Sequence, residues 1–295
     1  MPRMNRSFTT TRPTSEPLPE KVYTPDAGRR QGLRIWVEMV RELLASRELI
    51  VRLIQRDVAV RYRQSVLGYI WAVVPPIVTV TVFAFLVSQR ALPIGATVLP
   101  YPVYALLGMT LWGLFAGCLS ACTASLVSAG SLVTKISFPK EAIVISAVGQ
   151  PLFDFGVRLL PLIGVFIWYG VAPAWQSVFI LLLVPAVVLM AAGLGFLLAI
   201  ANLAVRDVAN VVGMFMTFGM FFAPVLYPPP VRWPFFLVNI LNPFSPLLAA
   251  THDLLAQGRV NQPALLVMSV LFSLLVFLVG WRVFHLTMPR VAERA

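Results

Sequence analysis

Charged residues, histidine and cysteine are all scarce in this chain of 295 residues. Only 12% of the residues are charged, about half the share found in soluble domains. The two histidines, His252 and His285, lie far apart and have no acidic or cysteine neighbours at metal-ligand spacing. The composition therefore excludes an ordinary soluble domain and gives no support for a metal centre.

The sequence also lacks the motifs that bind nucleotides or carry out nucleophilic catalysis. No GxxxxGK[ST] segment is present, and no glycine-rich loop follows a strand pattern. No cluster of acidic or basic side chains is arranged for acid–base chemistry. We therefore expect a chain that is not an enzyme and that holds no cofactor of its own.

The two cysteines predict packing rather than redox chemistry. Cys118 and Cys122 lie four residues apart inside one apolar run, a spacing that matches neither a disulfide framework nor a CxxC motif. The same run has a small residue at every fourth position, which lets another helix approach closely. These residues are Gly113, Gly117, Ala121 and Ser125. Packing within the chain is favoured over a subunit seam.

Apolar residues are abundant and occur in long runs. They make up 59% of the chain, and the mean hydropathy is +0.84. A helix needs about 20 apolar residues to cross a bilayer. Six runs qualify: 66–88, 101–128, 142–170, 177–201, 208–227 and 263–286. The predicted fold is an all-α integral membrane protein with a six-helix domain over residues 66–286, and Pro75-Pro76 should kink the first span.

The part before the first span divides into a tail and an amphipathic region. Residues 1–32 are rich in proline, threonine and arginine and predict a disordered cytoplasmic tail. Residues 33–65 predict two amphipathic helices with a break at Ala45-Ser46. In the second helix, apolar and basic side chains separate onto opposite sides, as in helices that lie in the membrane interface.

The distribution of basic residues predicts the topology. If the N-terminus is inside, the inner segments and the adjacent Arg282 carry 19 Lys and Arg, while the outer segments carry three. Both termini, including the tail 287–295, are therefore predicted to be cytoplasmic. We interpret the net charge of +11 as contact with lipid headgroups and not with nucleic acid.

The connection 228–262 is unusual for an outer loop. It is too apolar for a solvated loop and too rich in proline for a spanning helix. We expect short re-entrant helices that form a lid over the extracytoplasmic mouth before the last span.

Two ionisable residues fall near the middle of the third apolar run. Asp154 and Arg158 are four residues apart, so they either neutralise each other on one helix face or form a polar spot at a translocation path or subunit seam. Aromatic side chains could also line a path for sugars, or they could face lipid and the protein core. The path candidates are Tyr104, Trp112, Phe215, Phe218, Phe222, Asp154 and Arg158.

Four segments in order along the chain resemble a known family. They are RDVAVRYRQSVLGYIWAVVPP (56–76), SLVTKISFPKEAI (131–143), NLAVRDV (202–208) and NPFSPLLAATHDLLAQG (242–258). Together they resemble the membrane subunits of type 2 ABC exporters, specifically the branch that exports O-antigen, capsule and teichoic acid. The resemblance covers about residues 47–286.

The resemblance implies a permease subunit in the inner or plasma membrane of a bacterium. Two copies would pair with each other and with two copies of a cytoplasmic ATPase, which would bind ATP and Mg²⁺. The substrate would be a glycan on a polyprenyl diphosphate. The residues implied to contact the ATPase are Arg56, Asp57, Lys135, Phe138, Pro139, Lys140 and Glu141. Arg52, Arg61 and Arg63 would contact the lipid diphosphate or membrane headgroups.

Other functions remain open from the residues alone. A permease of the same type could carry a drug or a lipid. A membrane enzyme acting on lipid-linked sugars and a proton-coupled carrier are further alternatives. The missing acid–base cluster argues against the enzyme, and the absence of an apparent inverted repeat argues against the carrier.

Overall fold

The computed structural model describes residues 33–63, 68–92, 94–130, 138–229, 237 and 240–292, and within these residues the regular structure is helical. The helices are α1 (Leu33–Ala45), α2 (Arg47–Arg63), α3 (Val74–Ser88), α4 (Tyr101–Ala129), α5 (Glu141–Ala147), α6 (Gly149–Trp168), α7 (Ile180–Ala204), α8 (Val208–Gly219), α9 (Ser245–Gln257) and α10 (Pro263–Ala292). Short 3₁₀ segments, Gly68–Ala72 and Trp175–Phe179, precede α3 and α7.

The fold is built around α4. This helix is apolar on all sides, which is typical of a helix surrounded by protein. In α4, 67% of the most apolar stretch of 18 residues is buried, whereas the buried share of the corresponding stretch in the other long apolar helices is 17% to 44%. Helices α3, α6, α7, α8 and α9 all contact it. Both cysteines lie on α4 as free, buried thiols, in agreement with the packing role predicted from their spacing.

Glycines bring the long helices into backbone contact. A Cβ atom on Gly193 of α7 would lie 2.6 Å from Cα of Phe277 in α10, and a Cβ on Gly280 would collide with the Gly193 carbonyl. The small-residue stripe of α4 packs within the protomer, because a Cβ on Gly117 would lie 3.1 Å from Pro151 of α6. Because lipid tails are as apolar as the helices, close packing of this kind holds membrane helices together.

Four of the six predicted spans are long enough to cross a bilayer, and two are shorter. The long ones are Tyr101–Ala129, Glu141–Trp168, Trp175–Ala204 and Pro263–Met288. The others are α3, with 15 residues, and α8, with 12 residues. At about 1.5 Å per residue they reach roughly 22 Å and 18 Å, less than the ~30 Å hydrocarbon core. The structure thus shows a helical membrane protein, and the count of six spans stays a prediction.

The prolines of the first predicted span begin α3 and do not kink it. Pro75 and Pro76 occupy its first turn, where a missing N–H costs nothing because the helix has no partner for it there. The 3₁₀ segment Gly68–Ala72 takes the place of the first part of the predicted helix.

The amphipathic region contains the two predicted helices, and the break falls at Ser46 between α1 and α2. In α1 the buried residues are Ile35 and Met39, and the Trp36 ring meets the edge of Trp281 in α10 at 6.0 Å. In α2, Leu53 is buried. Both helices therefore pack along one side against the spanning helices.

The backbone after α8 is irregular, and tyrosine hydroxyls satisfy its carbonyls. Tyr101 donates to the carbonyl of Leu226 at 3.1 Å, and Tyr104 lies within hydrogen-bond distance of the carbonyls of Pro224 (3.2 Å) and Tyr227 (3.0 Å). Tyr227 itself donates back to Phe221 at 2.6 Å. In an apolar surrounding each unpaired carbonyl would cost several kcal/mol, which explains why tyrosines gather beside this segment.

Helix α9 lies within the predicted re-entrant region. It begins at Ser245 and ends at Gln257, and Gly258 after it adopts a left-handed conformation (φ 66°) that glycine tolerates without strain. Its buried side includes Leu247, Leu248 and His252, so protein covers much of this helix. Residues 230–236, 238 and 239 of the predicted region lie outside the described ranges.

A valine at position 280 should destabilise the protein, because its Cβ would meet the backbone of Gly193 and neither helix can yield locally. We expect Gly280→Val to lower the free energy of unfolding by about 1–3 kcal/mol or more. Thermal unfolding of the purified protein in detergent would measure the change. The matched control is Gly164→Val, since nothing lies within 4 Å of a Cβ there. Equal unfolding midpoints for both variants would contradict the close packing of α7 on α10.

Candidate functional site

The basic helix α2 is joined to the membrane domain by a buried carboxylate. Asp154 of α6 accepts a hydrogen bond from the Tyr62 hydroxyl of α2, and Gln150 donates to it at 2.8 Å. The Arg61 guanidinium lies 3.6 Å from the same carboxylate. We call Arg61, Tyr62, Gln150 and Asp154 the Asp154 cluster. Because a buried carboxylate must be paired, the cluster fixes the end of α2 to α6.

Aromatic packing strengthens the connection at Tyr62. Its ring lies 4.5 Å from the ring of Tyr69 and 6.0 Å from that of Phe153, measured between centroids. Burial, together with the hydrogen bond to Asp154, raises the pKa of Tyr62 to about 12. The phenol therefore keeps its proton, and remains a hydrogen-bond donor, at any physiological pH.

Arg158 contacts different partners from Asp154. Its Nε atom donates to the Ala72 carbonyl at 3.0 Å, and its guanidinium lies where a side chain on Gly113 would be. In the described part of the chain, the ion pair of Asp154 is formed with Arg61. The arrangement does not match a self-contained pair on one face of α6. Each charge instead holds a neighbouring element in place: α2 for Asp154, and the 3₁₀ segment before α3 for Arg158.

Close approach of the helices completes the junction. A Cβ on Gly149, where α6 begins, would lie 2.5 Å from Cγ1 of Ile54 in α2. Glycine is therefore required if Ile54 is to pack directly on the α6 backbone. Apolar and polar contacts together make α2 a fixed part of the membrane domain.

The short segment before α5 lies at the same end of the molecule. Lys140 places its Nζ 4.5 Å from the centre of the Phe138 ring, a cation–π contact, and burial lowers the pKa of Lys140. Glu141 is buried and lies 2.7 Å from Nδ1 of His285 in α10. Pro139 accepts a helix-starting hydrogen bond from Ala142 at 3.0 Å. Lys135, which was predicted to belong with these residues, lies outside the described ranges.

The predicted basic residues of α2 are mostly exposed. Arg52 and Arg63 are exposed, and Arg56 pairs with its neighbour Asp57 at 2.8 Å with half of its side chain accessible. Arg61 is also about half exposed although it contacts Asp154. Arg52, Arg56 and Arg63 are thus accessible to a partner protein or a lipid headgroup. Arg61 is accessible as well, and it also contributes to the Asp154 cluster.

A cavity of about 230 Å³ lies between α2 and the helices behind it. Arg56 and Asp57 line one side, and Ser125, Ser146 and Gln150 are among the residues of the other. The apolar packing of α2 is therefore limited to part of its length, and its polar side is separated from α4 by open space.

The predicted path aromatics fall into two groups. Tyr104 and Trp112 are buried inside the protomer, where Tyr104 satisfies backbone carbonyls and Trp112 donates to the Met216 carbonyl at 3.2 Å. Phe215, Phe218 and Phe222 are between 58% and 69% exposed. Their spacing places these three along one side of α8 and the turn after it.

Two buried polar residues were missed by the reasoning from sequence. Asn202 donates to the Thr123 carbonyl at 3.1 Å and accepts from the Ala209 amide at 3.0 Å, so it ties the loop between α7 and α8 to α4. His252 is 2% exposed, stacks on Tyr104 at 3.8 Å between ring centroids and places its Nε2 atom 3.0 Å from the Tyr104 carbonyl. The signal available in the sequence was that Asn202 and His252 are polar residues within apolar stretches.

Comparison with known proteins agrees with this architecture. Residues 48–255, most of the chain, match the family described as ABC-2 type transporter. The chain belongs to the ABC-2 type transporter family. It is therefore a multi-pass membrane permease, a transport subunit without an ATPase domain, and in this family nucleotide binding lies on a partner ABC ATPase. The expectation of a non-enzymatic permease is confirmed.

Relatives of this permease carry related names. The O-antigen export system permease protein RfbA of Myxococcus xanthus is 30% identical over 199 residues, which are 65% of this chain and 73% of that protein. Two proteins of the same name from Klebsiella pneumoniae are 26% and 22% identical over 255 and 252 residues. Each of these alignments covers 83% of this chain and 94% of the relative.

Removing the Tyr62 hydroxyl should loosen the contact between α2 and α6, because Asp154 would lose a buried donor. We expect Tyr62→Phe to lower the free energy of unfolding by about 1–3 kcal/mol, measured by thermal unfolding in detergent. The control is Tyr69→Phe, which makes the same chemical change at a ring that is 52% exposed. If both variants unfold at the wild-type temperature, the cluster does not hold the two helices together.

Proposed function

We propose that this permease exports a lipid-linked polysaccharide from the cytoplasm to the outer face of a bacterial cell membrane. The observation that carries the substrate class is the similarity of most of the chain to permeases named for O-antigen export. Two copies of the chain form the path, and two copies of a cytoplasmic ABC ATPase supply the energy. The glycan moves while attached to a polyprenyl diphosphate.

The contact surface for the ATPase is the exposed side of α2 together with the segment before α5. Arg56 and Asp57 are accessible on α2, and Phe138, Pro139 and Lys140 are half-buried at the start of α5. Lys135 extends this surface in the sequence. The charge distribution supports a cytoplasmic position for this end of the molecule. In the predicted topology the inner side carries 19 Lys and Arg, whereas the outer side carries three.

Motion of the ATPase reaches the spanning helices through buried polar contacts. The first residue of α5 is connected to α10 by the pair of Glu141 and His285, and α2 is connected to α6 by Tyr62 and Asp154. A displacement of either element must therefore move a spanning helix or break a buried contact. The cavity behind α2 leaves space for such a displacement on its polar side.

The exposed aromatic face of α8 is the proposed lining of the path between two protomers. Phe215, Phe218 and Phe222 present ring faces on which sugar rings can stack. Tyr104 and Trp112 support this region from behind, since Trp112 holds the α8 carbonyl of Met216. Asp154 and Arg158 are assigned to the helix junction described above, so aromatic faces and not ionised groups meet the glycan here.

ATP hydrolysis by the reconstituted exporter tests the substrate class. We expect a polyprenyl-diphosphate-linked glycan to stimulate hydrolysis by the permease–ATPase complex in lipid vesicles, because substrate binding at the path is coupled to the motor. The matched control is the same glycan cleaved from its lipid. Stimulation by hydrophobic drugs, with none by the lipid-linked glycan, would assign the permease to drug or lipid transport.

The exposed arginines of α2 should attract the lipid diphosphate at the inner face. We expect the double charge reversal Arg52→Glu with Arg63→Glu to weaken binding of the lipid-linked glycan, because each basic residue near an anionic surface contributes about 1 kcal/mol. Two such losses correspond to roughly 30-fold in affinity. Arg90→Glu, at the far end of α3, is the control. Unchanged affinity in the double variant would reject the role of these arginines.

A further inference from the structure

The Ala72 carbonyl cannot find a donor in its own helix. A helical carbonyl accepts from the N–H three or four residues further on, and Pro75 and Pro76, which have no N–H, stand at these positions. Ala72 is 2% exposed, so little water reaches it. The Nε atom of Arg158 donates to this carbonyl at 3.0 Å. Arg158 therefore replaces the N–H that the two prolines remove at the start of α3.

A carboxylate of α6 lies within reach of the same arginine. Asp154 precedes Arg158 by four residues, a spacing at which an acidic and a basic side chain can pair on one helix face. The two side chains already interact electrostatically. In the described part of the chain, however, Asp154 is bonded to Tyr62 and paired with Arg61, both on α2. Asp154 thus has one cationic partner on α2 and a second one on its own helix.

The two partners behave differently if α2 moves away. The Arg61 side chain is 52% exposed, whereas that of Asp154 is 7% exposed. Arg61 therefore turns to water or lipid headgroups, but Asp154 stays buried and needs another cation. Gln150 remains bonded to it on α6 but carries no charge. Among the described residues, Arg158 is the cation that stays beside Asp154.

Helix α2 has a point about which it can tilt. Ile54 packs directly on the backbone of Gly149, and Tyr62 lies eight residues further along α2, a distance of about 12 Å. A tilt of about 15° around this contact moves Tyr62 by roughly 3 Å, which is enough to break its hydrogen bond to Asp154. The cavity of about 230 Å³ on the polar side of α2 leaves space for the tilt.

We propose that Asp154 exchanges its partners on α2 for Arg158 when the ATPase displaces α2, and that this exchange releases the start of α3. The inference rests on the proposed function, in which the ATPase acts on α2. As Arg158 turns to Asp154 it leaves the Ala72 carbonyl, which has no replacement donor in its own helix. The first turn of α3 must then shift until this carbonyl meets another donor. A tilt of α2 is thereby converted into a movement of α3.

The exchange lowers the energy that is needed to move α2. Without a second partner, the displacement would leave an ionised carboxylate buried and unpaired, which is strongly unfavourable. With Arg158 on the same helix, Asp154 is paired before and after the movement. The ATPase then has to supply only the difference in free energy between two paired arrangements.

The exchange is tested on the purified permease–ATPase complex in lipid nanodiscs, without glycan. Spin labels on cysteines introduced at Val60 and Leu160, both 70% exposed, report the distance between α2 and α6. Labelling reagents do not reach the native Cys118 and Cys122, which are buried. We expect a non-hydrolysable ATP analogue with Mg²⁺ to change this distance by about 3 Å or more. An unchanged distance would show that α2 does not move and would overturn the proposal.

Two substitutions at Arg158 separate its charge from its bond to α3. Arg158→Lys keeps a cation four residues after Asp154 but lacks the Nε atom that bonds the Ala72 carbonyl. We expect the distance change to be retained in Arg158→Lys and lost in Arg158→Met, which has no charge. A full change in both variants would overturn the exchange. Loss in both would assign Arg158 to holding α3 alone, and would overturn it too.

A third substitution biases the exchange and removes none of the partners. A Cβ atom on Gly113 of α4 would occupy the place of the Arg158 guanidinium, so Gly113→Ala pushes Arg158 away from Ala72 and toward Asp154. Without nucleotide, we expect the population at the distance seen with the ATP analogue to rise at least about fivefold. Gly156→Ala on α6 is the matched control, because nothing lies within 4 Å of a Cβ there. Equal populations in the two alanine variants would contradict the proposal.

The outcomes also separate the exchange from the proposed function. The spin-label measurement contains no glycan, so its failure does not affect the substrate class. If the exchange fails although lipid-linked glycan stimulates ATP hydrolysis, the exporter assignment stands and another contact carries the movement. If the exchange is found but lipid-linked glycan gives no stimulation, the exchange stands and the permease carries a different substrate.

Discussion

The structure depends on one constraint: a polar group that enters the apolar region is costly unless it finds a partner within the protein. Water is absent there, and an unpaired group costs several kcal/mol. The constraint explains why the Tyr62 hydroxyl meets Asp154 and why Arg158 meets the Ala72 carbonyl. It also explains the tyrosines beside the irregular segment after α8. Each contact joins elements that are distant in the sequence, so the polar groups determine how the apolar helices are arranged.

The same contacts divide the permease into connected parts. Helix α2 is held to α6 through Asp154, and the start of α5 is held to α10 through Glu141. Helices α7 and α10 meet through their backbones at Gly193 and Gly280. The surface proposed for the ATPase is therefore joined to the long helices by direct contacts, although open space lies behind the polar side of α2.

Length and charge allowed most of the helices to be predicted, because a bilayer sets a minimum number of apolar residues. The predicted run 101–128 agrees with α4 to within one residue, and the break at Ser46 was found as expected. Apolar character alone could not show that α8 ends at Gly219, since residues 220–227 are as apolar as the helix before them. Carbonyls after that end are bonded by residues more than 100 positions away, among them Tyr101 and Tyr104.

The candidate site was predictable in its residues more than in its contacts. Asp154 and Arg158 stood out because charges are costly in an apolar run, but Tyr62 lies 92 residues from Asp154 and nothing in its local sequence marks it. The burial of His252 was not predictable for the same reason, because its partner Tyr104 lies 148 residues away in the sequence. Spacing along one helix predicts which groups can meet on that helix, whereas the partner actually chosen depends on how separate helices pack.

The segment after α8 differs from a helix in how it can rearrange. A helical turn is stabilised by a cooperative ladder of backbone bonds, so opening it disturbs several residues together. Four carbonyls of this segment are held instead by individual hydroxyls of Tyr101, Tyr104 and Tyr227, namely those of Phe221, Pro224, Leu226 and Tyr227. Each such bond can be exchanged separately for a bond to another donor, whereas a carbonyl left without any donor would cost several kcal/mol here. This part of the backbone can therefore rearrange one bond at a time, provided that each carbonyl passes from one donor to the next, while the helices around it stay intact.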